Sequence, residues 1–166
     1  KGLMDFGGKY AVVALNGRMG KLNRALSIAI RDYCSKHEML PIFVSMDTNN
    51  DTNAAKEGAE ICHGMLLDRS DSATLNDVIS RASLAIGARF HFLIFALCRG
   101  IRIVPINADL KINALSNEIF SSQALKIGKG DTTPSIVRKI TRFLSADCKE
   151  CDACEREEAI ENMSKR

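Results

Sequence analysis

The sequence of 166 residues contains no tryptophan, only two tyrosines and seven phenylalanines, and three prolines. So few aromatic side chains argue against an aromatic-rich binding surface and against a set of β-propeller blades. The best apolar stretch, residues 90–98, is far shorter than the roughly 20 residues of a membrane span, so we expect none. With 46% hydrophobic and 26% charged residues, the composition is globular and excludes disordered and fibrous classes.

The charge is mild overall but unevenly distributed. Residues 1–144 carry 19 basic and 13 acidic side chains, whereas residues 145–166 carry 4 basic and 7 acidic ones. No basic stripe is interleaved with aromatic residues, so the excess of positive charge in residues 1–144 favours a small anionic ligand over nucleic acid. Because the chain begins with Lys1 and has the size of one domain, we expect it to be a piece of a longer protein.

Cysteine usage predicts a reducing environment. Six cysteines stand at positions 34, 62, 98, 148, 151 and 154. The first three lie in hydrophobic segments, where free cysteine behaves as a small core residue, and this favours the cytoplasm. Cys148, Cys151 and Cys154 have the spacing of zinc or iron–sulfur ligands. A fourth ligand is missing nearby, so we favour a structural or incidental role for them and predict no metal.

Short apolar runs alternate with amphipathic stretches of helical length. Strands are predicted at 10–15, 40–46, 64–67, 83–86, 102–106 and 124–127. Helices are predicted at 22–36, 54–63, 74–82, 89–99 and from residue 133 onward. This alternation predicts an α/β fold with a Rossmann-like, doubly wound parallel sheet. We expect residues 1–145 to form this lobe and residues 146–166 an acidic, cysteine-containing helix or tail.

Two helix caps are predicted from polar residues. The run at 47–53 is a loop by composition and is expected to cap the second helix. Thr74 and Asp77 have the spacing of a capping box at the start of the third.

In an open α/β sheet the ligand crevice lies at the carboxyl ends of the strands, so the loops that follow strands are the candidates. The strongest is 87–91, where Gly87 permits a tight turn and a helix begins beside Arg89 and His91. Free backbone N–H groups, a guanidinium and an imidazole would converge there, which predicts a site for phosphate or carboxylate. The alternative is that both side chains simply solvate the helix end.

Two further loops carry polar residues. The loop 16–21 has two glycines together with Arg18 and Lys21, but its spacing is not that of a P-loop. In the loop 107–111, Asp109 and Lys111 either pair with each other or hold a substrate hydroxyl.

The segment 80–112 resembles the hallmark region of the polysaccharide pyruvyl transferase family. That pattern is an Arg-x-His helix start, an apolar helix, a glycine, a short strand and an Asp-x-Lys. Here the pattern is filled by Arg89 and His91, Gly100, the predicted strand at 102–106, and Asp109 with Lys111.

The resemblance implies transfer of the pyruvyl group of phosphoenolpyruvate to a sugar as a ketal, on a two-lobed GT-B-like fold. It implies that this chain is the C-terminal lobe, that the N-terminal lobe is missing, and that no cofactor or metal is needed. His91 inherits the catalytic role and Arg89 the binding of the donor, while Arg18 or Asn16 fills a further position after the first strand.

The same resemblance places Asp109 and Lys111 among the substrate contacts, and we predict Phe90, between Arg89 and His91, as a further one. It names phosphoenolpyruvate and a sugar or lipid-linked saccharide as partners. The location it implies is the cytoplasm, at the inner membrane surface where surface polysaccharides or their precursors are made.

Two other functions stay open. One is the C-terminal lobe of a nucleotide-sugar-dependent GT-B glycosyltransferase, which an acidic residue placed to hold a ribose would favour. The other is a non-catalytic domain whose cysteine tail associates in a metal-dependent way.

Overall fold

A computed structural model describes residues 7–67, 71–107, 110–120 and 130–145. Within these ranges, five strands form one parallel sheet in the order β3-β2-β1-β4-β5. The strands are β1 (Tyr10–Ala14), β2 (Leu40–Val44), β3 (Met65–Leu67), β4 (Leu84–Gly87) and β5 (Ile103–Pro105). The predicted α/β class and parallel sheet are therefore confirmed. The sixth predicted strand, at 124–127, lies outside the described residues.

Six α-helices connect or follow the strands in the described ranges. They are α1 (Lys21–Lys36), α2 (Thr52–Cys62), α3 (Ser72–Ser80), α4 (Phe90–Leu97), α5 (Leu110–Phe120) and α6 (Thr133–Ser145). None of the helices in these ranges is both long and apolar enough to cross a membrane. Helix α5 was not predicted, and Leu110 and Lys111, expected in a loop, lie in its first turn.

Alternating residues of the buried strands face two separate cores, as expected for a parallel sheet covered on both sides. Ala11 and Val13 of β1 contribute to one core, which helices α1, α2 and α6 cover. Val12 and Ala14 contribute to the other, which α3, α4 and α5 cover. Every residue of β1 is buried, so this strand is the centre of the fold.

The chain reverses its direction of winding at β1. After β1 it continues to β2 and β3 on one side, and β4 then returns to the opposite side of β1. In sheets of this kind, ligands bind at the carboxyl ends of the two strands that flank such a switch point, here β1 and β4. Two of the three candidate loops, 16–21 and 87–91, lie at this switch point.

The two predicted caps have different outcomes. The run at 47–53 does supply the N-cap residue of α2, Asp51, although its side chain makes no cap hydrogen bond. Helix α3 begins two residues earlier than predicted, and Asp71 caps it by accepting from the Thr74 backbone N–H at 2.7 Å. The carboxylate that sequence reasoning assigned to a cap at 47–53 is used for a tertiary contact.

Two of the three cysteines that were predicted to lie in the core are buried, and the third is exposed. Cys34 and Cys62 are buried, as expected, whereas Cys98 is exposed at the end of α4. Burial raises the pKa of each buried thiol to about 12, and Cys62 also donates a hydrogen bond to the Ser27 carbonyl at 3.1 Å.

Brief treatment of the native protein with iodoacetamide at pH 8 is expected to label Cys98 and to spare Cys34 and Cys62. With a pKa of about 12, only about one buried thiol in 10⁴ is ionised at that pH, and the thiolate is the reactive form. Peptide mapping by mass spectrometry measures each site, and denaturant provides the control in which all three react. Labelling of Cys34 or Cys62 at the rate of Cys98 would contradict the burial.

Candidate functional site

The loop after β1 is organised by Asn16. Its side-chain Oδ1 accepts a hydrogen bond from the Arg18 backbone N–H at 3.0 Å, and its carbonyl accepts from Asn23 Nδ2 at 3.0 Å. Asn16 is itself buried and caps the short 3₁₀ turn Gly17–Met19. The Arg18 side chain is exposed in that turn. Of the two residues predicted to fill one position, Asn16 therefore builds the loop and Arg18 faces solvent.

Asp51 links this loop to the loop after β4. Its carboxylate is fully buried and is hydrogen-bonded by two atoms of the Arg89 guanidinium, Nε at 2.8 Å and Nη2. The same carboxylate accepts from the Gly17 backbone N–H at 3.0 Å. Bidentate Arg–carboxylate contacts of this kind combine charge with fixed geometry. Asp51 thus ties the ends of β1 and β4 to the start of α2.

Asp47 adds a second negative charge beside Arg89. Its Oδ2 lies 3.7 Å from Arg89 Nη2, and it accepts hydrogen bonds from the Asn50 amide at 2.6 Å and the Asn49 backbone N–H at 3.1 Å. The Asn50 hydrogen bond is the main cause that lowers the pKa of Asp47, so this carboxylate is ionised at neutral pH. Arg89 therefore faces two carboxylates, a pairing that sequence reasoning did not foresee.

His91 lies at the second position of α4 and its side chain is exposed. Its ring packs edge-on against Phe90, with the ring centroids 5.7 Å apart, and Phe90 is half-buried against the core below. Arg89 occupies the N-cap position of α4 and makes no side-chain cap hydrogen bond. Its guanidinium is bound to Asp51, so the predicted convergence of backbone N–H groups, a guanidinium and an imidazole on one anion stays a prediction.

Fewer of the predicted site residues can be placed in the third candidate loop, 107–111. Asn107 is half-buried after β5, and Lys111 is exposed in the first turn of α5. Asp109 lies outside the described residues, so its predicted pairing with Lys111 stays a prediction.

Five predicted residues thus lie in the two loops at the switch point: Asn16, Arg18, Arg89, Phe90 and His91. Asp51, which binds Arg89 here, was not among the predicted site residues. A carboxylate just before a helix normally signals a cap, and its partner Arg89 is 38 residues away. Sequence spacing alone offers no sign of that contact.

The tail cysteines Cys148, Cys151 and Cys154 lie outside the described residues. Among the residues that are described, no group of three or more metal-ligating side chains lies together.

The sequence matches no protein-family model and no curated protein. Solved structures do match. They include the pneumococcal O-GlcNAc transferase GtfA in complex with UDP and GlcNAc, with a TM-score of 0.58, 14% identity, and coverage of 98% of this chain and 37% of that one. The S. aureus MnaA–UDP structure matches with a TM-score of 0.57 and 9% identity, over 94% of this chain and 45% of that one.

The UDP-GlcNAc 2-epimerase of Neisseria meningitidis, bound to UDP-GlcNAc, matches with a TM-score of 0.53 and 11% identity, over 99% of this chain and 46% of its own. The chain thus spans less than half the length of each of these proteins. The shared architecture is one lobe of a GT-B-like two-lobed fold, which confirms the predicted fold class.

Proposed function

We propose that this chain is the donor-binding lobe of an enzyme that modifies sugars, and that a phosphate-bearing donor lies across the carboxyl ends of β1 and β4. The observation that carries the proposal is that the exposed Arg18 and the exposed His91 at the start of α4 follow two neighbouring strands, β1 and β4, at the switch point. Backbone N–H groups, an imidazole and a guanidinium are suitable partners for phosphate oxygens.

Arg89 has a different part in this proposal from the one its sequence position implied. Its guanidinium is already held by Asp51 and faces Asp47. It therefore acts as a positioning residue that fixes the turn from β4 into α4. Arg18 and His91 are the groups that contact the donor.

The first donor candidate is a nucleoside-diphosphate sugar. Its support is the likeness in fold to GtfA and to the epimerase, whose structures contain UDP or UDP-GlcNAc. Under this reading the diphosphate lies at the N-terminus of α4, with His91 and Arg18 on either side of it. Such a lobe would work with a second lobe that carries the acceptor.

The second candidate is phosphoenolpyruvate, the donor that the resemblance of 80–112 implies. A specific observation favours it: α4 reads FHFLIFAL and carries no carboxylate that could hold a ribose. In this reaction a sugar hydroxyl adds to the enol carbon, while His91 supplies a proton to the methylene carbon. A second hydroxyl of the same sugar then displaces phosphate to close the ketal.

Titration of the chain with phosphoenolpyruvate and, separately, with UDP-N-acetylglucosamine distinguishes the donors. We expect one of them to bind and to be displaced by inorganic phosphate at high concentration. Arg18→Ala and His91→Ala should each weaken that binding about tenfold, because each removes one charge-assisted or polar contact to phosphate. Calorimetry or chemical-shift titration measures the affinities.

Arg99→Ala is the matched control, because Arg99 is an exposed arginine just beyond the opposite end of α4. It should leave binding unchanged. The proposal fails if neither donor binds at millimolar concentration, or if both site variants bind as well as the parent chain.

A further inference from the structure

A second cavity lies beside the switch point, on the face of the sheet that α3 and α4 cover. It has a volume of about 650 Å³, within the range of small-molecule sites, and lies between the β2–α2 loop, α3 and α4. Ser45 and Thr48 line it from the loop, Ser72 and Asn76 from α3, and Phe95 from α4. No function described above uses this cavity.

The lining residues in the described part of the chain are all uncharged. Its polar side chains are three hydroxyls and one amide, and its apolar part includes Met46, Leu75 and Ile79. A charged ligand group placed there would lose its hydration with no opposite charge to compensate. The lining therefore selects a neutral ligand that has both hydrogen-bonding groups and an apolar surface.

Phe95 is the distinctive wall of this cavity. It is 48% exposed, which makes it one of the few large apolar side chains in the described part of the chain that face solvent. Its ring contributes apolar surface to the cavity, and the hydroxyls and the amide of the same lining contribute hydrogen-bond donors and acceptors. A pyranose ring has the complementary form, with an apolar C–H face and a rim of hydroxyl groups.

We propose that this cavity binds the uncharged ring of a sugar. A nucleobase is also neutral, but it is flat on both sides and is held best between two flat surfaces, whereas Phe95 is the single aromatic residue among the described residues of the lining. Three hydroxyls and an amide match the several hydroxyls of a sugar better than the one hydrogen-bonding edge of a base.

The cavity is connected to the proposed donor site through one loop. Ser45 Oγ lies 3.1 Å from Thr52 Oγ1 and 3.3 Å from the carbonyl of Asp47, the residue that faces Arg89. A ring held here is therefore adjacent to the carboxyl edge of the sheet. That the bound sugar takes part in the reaction rests on the proposed function, whereas the binding of a sugar in this cavity does not.

The test is a chemical-shift titration of the chain with the methyl glycosides of glucose, galactose and N-acetylglucosamine, with uridine as a parallel arm. We expect at least one glycoside to bind in the millimolar range and to shift the amide signals of 72–79 and of Phe95. Phe95→Ala should weaken binding about fivefold to tenfold, the size expected for loss of one aromatic contact. Asn76→Ala should weaken it about threefold, as for loss of one neutral hydrogen bond.

Met65→Ala is the matched control, because Met65 is similarly exposed, at 42%, and lies on the edge strand β3 outside the cavity lining. It should leave binding unchanged, and well-dispersed spectra of all variants establish that they are folded. Shifts by uridine alone, the absence of shifts with every probe, or unchanged binding by Phe95→Ala would each overturn the inference.

The outcome can be separated from that of the donor experiment. Glycosides are expected to shift the amide signals of α3 and Phe95, whereas donors are expected to shift those of Arg18 and His91. Glycoside binding without donor binding leaves the sugar site intact and refutes the proposed function, and the reverse result refutes the sugar site alone.

Discussion

Asp51→Asn is expected to lower the free energy of unfolding by about 2–3 kcal/mol. Breaking one partner of a buried ion pair costs about 3–5 kcal/mol, and we take a smaller value because Arg89 is 24% exposed and keeps part of its hydration. The asparagine Oδ1 can still accept from the Gly17 N–H, but its amide N–H groups would face the N–H groups of Arg89. Urea unfolding followed by circular dichroism measures the change.

Asp77→Asn is the matched control for this experiment. Asp77 also pairs with an arginine, Arg81, but both side chains are more than 30% exposed, so the loss should stay within about 0.5 kcal/mol. A loss for Asp51→Asn no larger than that of the control would contradict the buried role of Asp51.

A double-mutant cycle tests the pairing itself. Arg89→Met alone leaves the buried Asp51 carboxylate without its main partner and should be strongly destabilising. Combined with Asp51→Asn it should cost less than the sum of the two single changes, because the second change removes the isolated charge. Additive losses would mean that Asp51 and Arg89 stabilise the chain independently.

Gly17→Ala is expected to lower the free energy of unfolding by about 3 kcal/mol, at the upper end of the range for overpacking. A Cβ built on Gly17 would lie 1.7 Å from the carbonyl oxygen of Asn50 and 2.7 Å from its carbonyl carbon. These are backbone atoms, so no rotation of a side chain relieves the clash. The two loops must separate, and this also lengthens the hydrogen bond from the Gly17 N–H to Asp51.

Thermal unfolding measures this loss as a fall in Tm of about 6–12 °C for a domain of this size. The matched control is Gly8→Ala, since a Cβ there meets no atom within 4 Å and the backbone is not left-handed. It should change Tm by about 1 °C or less. Equal Tm values for the two variants would show that the loops do not approach each other this closely.

Several elements were predictable because their signals are local. The strand at Tyr10–Ala14 is an unbroken apolar run of the kind that a doubly covered parallel sheet requires. Helix α5 was missed because its first apolar residue, Leu110, is 85% exposed, whereas the buried positions Ile112 and Leu115 come later. A helix with so short a buried pattern gives a weak periodic signal.

The site was predictable in part for the same reason. Arg89 and His91 follow a buried strand and open a helix, which is a local pattern with a known place in such sheets. The ion pair between Arg89 and Asp51 was not predictable, because a carboxylate just before a helix is ordinarily interpreted as a helix cap.

The alternation of strands and helices is readable from the amino-acid sequence, and it predicts a parallel sheet whose carboxyl edge carries Arg18, Arg89 and His91. Only the three-dimensional fold shows which strands are neighbours, and it places β4 beside β1. It also decided that Arg89 binds Asp51 and leaves Arg18 and His91 exposed. Strand pairing and charge pairing depend on distances in space between residues far apart in the chain, and periodicity along the sequence does not contain those distances.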